Sequence, residues 1–306
     1  MEFANQTKII LLGLSENPQI QVVLFQIFLF FYMSTILGNL LLIAAVRVDS
    51  RLHHSMYFFL SNLSFLDICY TSIIIPKMLV NIAVSSQSIS FSGCLLQVYF
   101  YLLMGETECI LLAFMAYDRY VAICNPLLYN VIMNTVSCVK MVCASWVIGC
   151  IISSIDMYFL SKLRYCRSTT TIDHFFCEAP SLIELACSDI SANNIVMIVG
   201  STILLIVPVS LILFSYMQIS LVLIKIRSQR YKAFSTCLSH LIVVIIFYGT
   251  ALFMYMRPRY KTKEVTDKMV SVFYTVVTPM LNPLIYSLRN KDVQRALRRM
   301  KKYITC

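Results

Sequence analysis

The chain has 306 residues, of which 59% are hydrophobic and 13% are charged. Soluble domains contain about 45–50% apolar and about 25% charged residues, so this chain has too few polar side chains to cover a soluble surface. Its composition also excludes intrinsic disorder, which requires low hydrophobicity. The net charge is +10, and the position of that excess is informative about topology.

Seven segments are long and apolar enough to cross a membrane, because a spanning helix needs about 20 mostly apolar residues. They cover residues 22–46, 56–80, 95–124, 139–160, 195–224, 234–256 and 269–288. Barrel strands would be about 10 residues of strict alternation, and lipid offers the backbone of any other segment no hydrogen-bond partner. The sequence therefore predicts an all-α membrane protein, a bundle of seven transmembrane helices.

The distribution of Lys and Arg predicts the orientation of the bundle. The C-terminal tail and the loops on its side of the membrane hold 15 of the 25 Lys and Arg residues, and the other side holds 10. The positive-inside rule places the tail in the cytoplasm and the N-terminus outside the cell. The glycosylation acceptor Asn5-Gln6-Thr7 agrees with this orientation in the plasma membrane.

The chain is predicted to have three parts: an extracellular N-terminus over 1–21, the seven-helix domain over 22–288 and a cytoplasmic tail over 289–306. The first part contains one short apolar run and Pro18, which interrupts any helix there, so we expect no cleaved signal and an uncleaved anchor in the first span. The tail alternates basic and apolar residues, which suits a short amphipathic helix on the inner leaflet.

Four of the 12 cysteines lie on the predicted outer side, where disulfides persist. Cys94 lies at the outer end of the third span, and Cys166, Cys177 and Cys187 lie between the fourth and fifth spans. Four cysteines allow three pairings.

Short motifs coincide with the spans. They are Gly38-Asn39, Leu63-Ser64-Phe65-Leu66-Asp67, Met115-Ala116-Tyr117-Asp118-Arg119-Tyr120-Val121-Ala122-Ile123-Cys124, Ser215-Tyr216, Lys232-Ala233-Phe234-Ser235-Thr236-Cys237-Leu238-Ser239-His240 and Pro279-Met280-Leu281-Asn282-Pro283-Leu284-Ile285-Tyr286-Ser287-Leu288-Arg289-Asn290. Over essentially the whole chain they resemble the motifs of odorant receptors in the rhodopsin-like G-protein-coupled family.

The resemblance implies a receptor, not an enzyme, that binds small volatile hydrophobic odorants and activates a stimulatory, olfactory-type heterotrimeric G protein to raise cAMP. Membrane lipid is the other expected partner, and we expect no nucleic acid, no cofactor and no metal site. One departure is visible: the family's first intracellular loop usually reads Leu-His-x-Pro-Met-Tyr, and this chain has Ser55 in place of the proline. That change removes a fixed φ angle at the start of the second span.

The resemblance also implies an activation switch at the cytoplasmic side. In the resting state Asp118 pairs with Arg119, and activation frees Arg119 for the G protein. The alternative is a charge pair that only marks the end of the span. The resemblance further implies that Tyr286 rotates toward Tyr216 on activation, whereas the alternative is a structural kink alone. The implied switch residues are Asp118, Arg119, Tyr120, Tyr216, His240, Asn282, Pro283 and Tyr286.

An intramembrane polar cluster of Asn39, Asp67 and Glu108 is predicted next to Asn282. A buried carboxylate must be paired, protonated or bound to a cation. The resemblance suggests a sodium or water cluster, and the alternative is a protonated, hydrogen-bonded packing cluster.

The ligand pocket is expected in the outer half of the bundle, between helices. The candidate positions are Tyr101, Leu102, Gly105, Glu106, Cys109, Gly200, Ile203, Leu204, Tyr248, Ala251, Leu252, Tyr255, Val272 and Thr275. Helix packing is the alternative role for any one of them. Glu106 and Tyr248 are the polar exceptions, and the hypothesis is that one of them hydrogen-bonds the functional group of the ligand.

For the disulfides, the resemblance favours Cys94–Cys177 together with Cys166–Cys187, and Cys94–Cys187 is the rival pairing. Two other protein classes fit less well. Transporters usually show internal repeats, which this sequence lacks, and an intramembrane enzyme would need a nucleophile paired with a base, which no span supplies.

Overall fold

The computed structural model describes residues 8–15, 17–84, 87–165, 170–225, 230–255 and 264–304. Within these ranges, seven helical segments are long and apolar enough to cross a membrane, which confirms the predicted seven-helix bundle. The first five are α1 (Pro18–Val48), α2 (Ser55–Ala83), α3 (Phe91–Cys124), α5 (Thr135–Ser161) and α7 (Ser191–Lys225). The sixth is α8 (Arg230–Tyr255), and the seventh consists of α9 (Glu264–Val272), a π-helical turn (Phe273–Val277) and α10 (Thr278–Arg289).

Three shorter helices join or follow the spans. They are α4 (Tyr129–Ile132), α6 (Ala179–Glu184) and α11 (Lys291–Ile304). The predicted amphipathic tail helix corresponds to α11, which buries Val293 and Ala296 against the bundle. Arg299 also pairs with Asp49 after the end of α1, and hydrogen bonding from this guanidinium lowers the pKa of Asp49. The tail helix is therefore anchored to the rest of the protein.

The first helix starts earlier than its hydropathy suggests. Pro18 occupies the first helical position of α1, where a missing backbone N–H leaves no bond unmade. The Asn17 side chain caps this turn by accepting a hydrogen bond from the Gln19 backbone N–H at 2.9 Å. Pro18 thus begins a helix rather than interrupting one.

A small three-stranded sheet covers one end of the bundle, and hydropathy did not predict it. Its central strand β1 (Ile9–Leu11) pairs antiparallel with β2 (Ser88–Ile89) and parallel with β3 (Thr170–Ile172). Ile9 and Leu11 are buried beneath it. We call this the sheet end of the bundle, and the opposite end, which carries α11, the tail end.

The third span lies at the centre of the bundle, where α3 contacts α2, α5, α7 and α8. Gly149 of α5 permits a close approach to α3. A Cβ atom at Gly149 would lie 2.6 Å from the Thr107 Oγ1 atom and 3.3 Å from the Leu103 carbonyl oxygen of α3. Glycine is therefore required there by the spacing of the two helices.

The loop that contains Cys177, which is disulfide-bonded to Cys94, closes the sheet end with an aromatic cluster. The His174 ring stacks on Phe175 at 4.6 Å and meets Phe176 edge-on at 4.7 Å between ring centroids. Neither ring nitrogen of His174 has a hydrogen-bond partner among the described residues. Burial lowers the pKa of His174, so the ring is neutral in the folded protein at physiological pH.

Substituting Gly149 tests the helix spacing. Gly149→Ala should reduce stability by about 1–3 kcal/mol, because the added methyl group overpacks the α3–α5 interface. Thermal unfolding in detergent should show a melting temperature several degrees lower. The matched control is Gly249→Ala, where an added Cβ meets nothing within 4 Å. An unchanged melting temperature for Gly149→Ala would contradict the close approach.

His174 should make the stability of the sheet end depend on pH. The folded-state pKa lies below the ordinary value of about 6.5, so the unfolded chain binds a proton more readily. Stability should be fully present above about pH 6.5 and fall as the pH drops below it, by at most about 1.4 kcal/mol per pH unit. We expect the melting temperature to fall less between pH 7.5 and 5.5 in His174→Phe than in the native chain. An equal fall in both would exclude His174 as the cause.

Candidate functional site

A cavity of about 100 Å³ lies among α2, α3, α5, α7, α8 and the π-helical turn, in the half of the bundle nearest the sheet end. Its walls are mainly apolar and aromatic. The lining residues are Tyr70, Tyr101, Leu102, Gly105, Glu106, Cys109, Asp156, Met197, Gly200, Ser201, Leu204, Leu205, Phe247, Ala251 and Tyr274.

Eight of the predicted pocket positions line this cavity. They are Tyr101, Leu102, Gly105, Glu106, Cys109, Gly200, Leu204 and Ala251. The α3 positions were recognisable because residues spaced three and four apart share one helix face. Gly105 and Gly200 have no side chain and so leave this volume open. A Cβ atom at Gly200 would meet nothing within 4 Å.

Five other predicted positions lie outside the cavity lining. Ile203 is 56% exposed on the outer surface of α7. Tyr248 is buried, and its hydroxyl donates to the Cys109 carbonyl oxygen at 2.6 Å. In this structure the Tyr248 hydroxyl therefore links α8 to α3. Leu252 and Val272 pack against the hydrophobic core, and the Thr275 hydroxyl donates to the Ser271 carbonyl oxygen at 2.6 Å. The side chain of Tyr255 lies outside the described residues.

Asp156 is the most consequential lining residue that sequence reasoning missed. It lies four residues before the end of the predicted fourth span, and the argument that singled out Glu106 as an intramembrane carboxyl applied equally to it. The remaining missed positions are Tyr70, Met197, Ser201, Leu205, Phe247 and Tyr274. They are ordinary core residue types, and only helix rotation distinguishes them from their neighbours.

Two carboxyl groups, those of Glu106 and Asp156, line the cavity. The Glu106 carboxyl accepts a hydrogen bond from the Ser153 hydroxyl at 2.7 Å, and Asp156 lies one helical turn after Ser153 on α5. No Lys, Arg or His is among the described residues that line the cavity. The site therefore offers acidic groups and hydrogen-bond acceptors beside a mainly apolar surface.

Aromatic side chains close the cavity toward the sheet end. The hydroxyl groups of Tyr101 and Tyr274 are hydrogen-bonded to each other. The Tyr101 ring also lies 5.4 Å from Tyr70 and 5.1 Å from Phe176, measured between centroids. Phe176 directly precedes Cys177, whose disulfide to Cys94 fixes this loop on α3 with a Cα–Cα distance of 5.5 Å. This is the pairing that the resemblance favours.

Of the other predicted cysteines and the glycosylation acceptor, only Cys187 lies among the described residues. Cys187 is also disulfide-bonded, so it is not the partner of Cys94. Cys166 and Asn5 lie outside the described residues.

A layer of buried polar groups lies below the cavity. Asn282 of α10 donates to both carboxyl oxygens of Asp67, at 3.0 and 3.1 Å. Glu108 is buried nearby, and its Oε1 atom has no hydrogen-bond partner among the described residues. Those residues contain no cluster of three His, Cys, Asp or Glu side chains that could hold a metal ion.

Pro283 explains the position of Asn39 in that layer. A proline inside a helix has no N–H to donate to the carbonyl oxygen four residues earlier, which here belongs to Pro279. The Asn39 side chain supplies the missing donor at 3.2 Å from this oxygen. A Cβ atom on Gly38 would lie 3.2 Å from Pro283 Cγ, so the glycine of the Gly38-Asn39 motif lets α1 approach closely enough for this bond.

At the tail end, Asp118 is fully buried and its carboxylate is enclosed by donors. Its Oδ2 atom lies 2.7 Å from the Arg119 guanidinium. Its Oδ1 atom accepts from the Ser55 hydroxyl at 2.5 Å and from the Tyr129 hydroxyl at 3.1 Å. Burial and the nearby Asp118 charge raise the pKa of Tyr129 to about 12, so this hydroxyl remains a donor at physiological pH.

Of the other predicted switch residues, Asn282 and Pro283 lie in the layer of buried polar groups, and Tyr120, Tyr216, His240 and Tyr286 lie towards the tail end with Arg119. The Tyr216 hydroxyl contacts His240 Nδ1 at 2.7 Å and so links α7 to α8. Tyr120 and Tyr216 both pack against the apolar cluster of Ile219, Leu223 and Cys237. A cavity of about 20 Å³ separates Arg119 from Tyr286. The Tyr286 hydroxyl is buried and has no hydrogen-bond partner among the described residues.

Comparisons with known proteins agree with this architecture. Residues 28–302 match the family model described as "Olfactory receptor". The chain is similar to Olfactory receptor 13D1 of Homo sapiens, with 50% identity over 97% of this chain and 86% of that protein. It is also similar to Olfactory receptor 7D4 of Homo sapiens, with 51% identity over 98% of this chain and 97% of that protein.

A further relative is Olfactory receptor 5AP2 of Mus musculus, with 50% identity over 96% of this chain and 93% of that protein. The family match, these relatives and the seven membrane-length helices lead to one assignment. The chain belongs to the olfactory receptor family and is a multi-pass plasma-membrane receptor for odorants that couples to a G protein, not an enzyme.

Proposed function

We propose that a small odorant binds in the cavity lined by Glu106 and Asp156, and that binding activates a stimulatory, olfactory-type G protein to raise cAMP. The observation that carries this proposal is a mainly apolar cavity between helices whose lining includes the two carboxyl groups of Glu106 and Asp156. Specific binding sites for small molecules have this composition.

The proposed orientation places the sheet end outside the cell and the tail end in the cytoplasm. The tail end carries most of the positive charge, which is the side that the positive-inside rule retains in the cytoplasm. The Cys94–Cys177 disulfide lies at the sheet end, where an oxidising exterior preserves it. An odorant then enters from outside, and the G protein meets the Asp118–Arg119 pair from inside.

The cavity favours small ligands that carry a hydrogen-bond donor. An apolar protein cavity of about 150 Å³ holds a benzene molecule, and this one measures about 100 Å³. Two carboxyl groups can accept a hydrogen bond from a hydroxyl group or pair with an ammonium group, whereas a carboxylate ligand finds no cation among the described lining residues. We propose that short-chain alcohols or amines are preferred to carboxylic acids of the same length.

The third span connects the ligand to the G protein in this proposal. Glu106 and Asp118 lie on α3 and are 12 residues apart, or roughly 18 Å along the helix. A ligand that contacts one helix arrangement better than another shifts the population toward it. In the resting arrangement Asp118 is paired with Arg119, and in the signalling arrangement that pair is released. Membrane lipid surrounds the bundle in both arrangements.

Filling the cavity should abolish the response to odorants. Gly105→Leu places a bulky side chain in the open volume, where a Cβ atom alone would meet only Tyr70, at 4.0 Å. We expect at least a tenfold loss of potency in a cAMP assay against an odorant panel, at unchanged surface expression. Gly249→Leu is the matched control, because Gly249 does not line the cavity. A normal response in Gly105→Leu would place the ligand elsewhere.

Neutralising the carboxyl groups should change which ligands are preferred. With Glu106→Gln and Asp156→Asn combined, responses to amines should fall at least about tenfold, since a hydrogen bond to a charged group is lost. Responses to carboxylic acids of equal chain length should be retained or increase. The exposed acid Glu184 provides the control Glu184→Gln. An unchanged order of agonists would contradict the proposed polar contact.

Removing the Arg119 guanidinium should uncouple the receptor. Arg119→Ala should reach the cell surface but raise no cAMP in response to an odorant that activates the native chain, because the group proposed to engage the G protein is missing. Surface labelling and cAMP are measured in the same cells. Normal cAMP in this variant would reduce the Asp118–Arg119 pair to a structural contact.

A further inference from the structure

The Asp118 carboxylate is bound from three different parts of the chain, and one donor departs from the usual family sequence. Arg119 is the adjacent residue on α3, Tyr129 begins α4, and Ser55 is the first residue of α2. The Ser55 hydroxyl lies 2.5 Å from both Asp118 Oδ1 and the Tyr129 hydroxyl oxygen. These atoms form a closed triangle at the tail end.

The triangle connects α3 to α2 and α4, which the Asp118–Arg119 pair alone does not. Because Asp118 and Arg119 are neighbours on one helix, their ion pair ties no second element to α3. The bonds to Ser55 and Tyr129 make the orientation of the carboxylate depend on the packing of α2 and α4 against α3. A buried carboxylate is stabilised by each donor it retains.

The Ser55 hydroxyl is not required to cap its own helix. The cap position of α2 is His54, and no side chain makes a capping hydrogen bond there. The Ser55 hydroxyl donates to Asp118 Oδ1 instead, and its oxygen lies beside the Tyr129 hydroxyl as an alternative acceptor. A proline at position 55 has no hydroxyl group. Of the two donors that Ser55 and Tyr129 provide from outside α3, Asp118 Oδ1 would then keep the one from Tyr129.

We propose that Ser55 is a positioning residue of the activation switch, which holds Asp118 in the orientation that retains Arg119 and so lowers signalling without odorant. This inference rests on the proposed function of the Asp118–Arg119 pair. With serine, α2 contributes a hydrogen bond to the resting state that proline cannot make. The transition to the signalling state then has to break that bond as well.

Basal cAMP, measured without odorant and normalised to surface expression, tests the proposal. Ser55→Ala should raise it at least about threefold, because a hydrogen bond to a charged group changes an equilibrium by about tenfold or more. Ser55→Pro should act in the same direction. Ser55→Thr should restore the low native value because threonine keeps the hydroxyl. Ser61→Ala, six residues further along α2, is the matched control and should change nothing.

A double variant separates this role from a general loss of stability. Ser55 and Tyr129 share the Oδ1 atom of Asp118, so the effects of Ser55→Ala and Tyr129→Phe on basal cAMP should be non-additive. Additive effects, or a high basal value in Ser55→Thr, would overturn the proposal. The alanine and threonine variants decide the matter even where Ser55→Pro fails to reach the surface.

Asp118→Asn distinguishes this inference from the function on which it rests. If Asp118→Asn raises basal cAMP and Ser55→Ala does not, Ser55 has no positioning role and the switch remains. If neither variant raises it, both the switch and the role of Ser55 are wrong. A rise in both, with rescue by threonine, supports the inference.

Discussion

Lipid offers a buried polar group no hydrogen-bond partner. A polar group in this bundle therefore either forms a hydrogen bond within the protein or lowers the stability of the fold. Pro283 shows the consequence most clearly: it leaves the Pro279 carbonyl without its helical donor, and Asn39 of α1 donates to it instead. The Asp67 carboxyl group receives both of its described hydrogen bonds from Asn282. Such bonds fix α1, α2 and α10 relative to one another more specifically than apolar packing alone.

The same constraint gives the third span its role. Along α3, Glu106 meets Ser153 of α5, the Cys109 carbonyl oxygen accepts from Tyr248 of α8, and Asp118 meets Ser55 of α2. One helix thus carries polar contacts to three others, from the proposed ligand cavity to the proposed switch. A ligand that alters the packing of α3 near Glu106 therefore acts on an element whose tail end is held by discrete bonds, and discrete bonds favour two alternative arrangements over continuous deformation.

The spans were predictable because hydropathy over about 20 residues is a property of the sequence alone. The α3 side of the cavity was also predictable, since spacing defines the face shared by Gly105 and Glu106. Tyr274 was missed because which face of a neighbouring helix turns inward depends on tertiary packing, whereas Asp156 was visible in the sequence as a carboxyl group within the fourth span. The sheet at Ile9–Leu11 was missed because a three-residue strand has no periodicity to detect. Ser55 was visible as a departure from the family sequence, but its contact with Asp118 joins residues 63 positions apart.

The central claim is that occupation of the cavity is coupled to release of the contacts around Asp118, and amide hydrogen exchange tests it directly. In α4 the Met133 N–H donates to the Tyr129 carbonyl oxygen at 2.8 Å, and the Tyr129 side chain is bound to Asp118. In the purified receptor, an odorant that raises cAMP should speed exchange at Met133 and leave exchange within β1 unchanged, because opening is local to the tail end. Unchanged exchange at Met133 with an activating odorant bound would contradict the coupling.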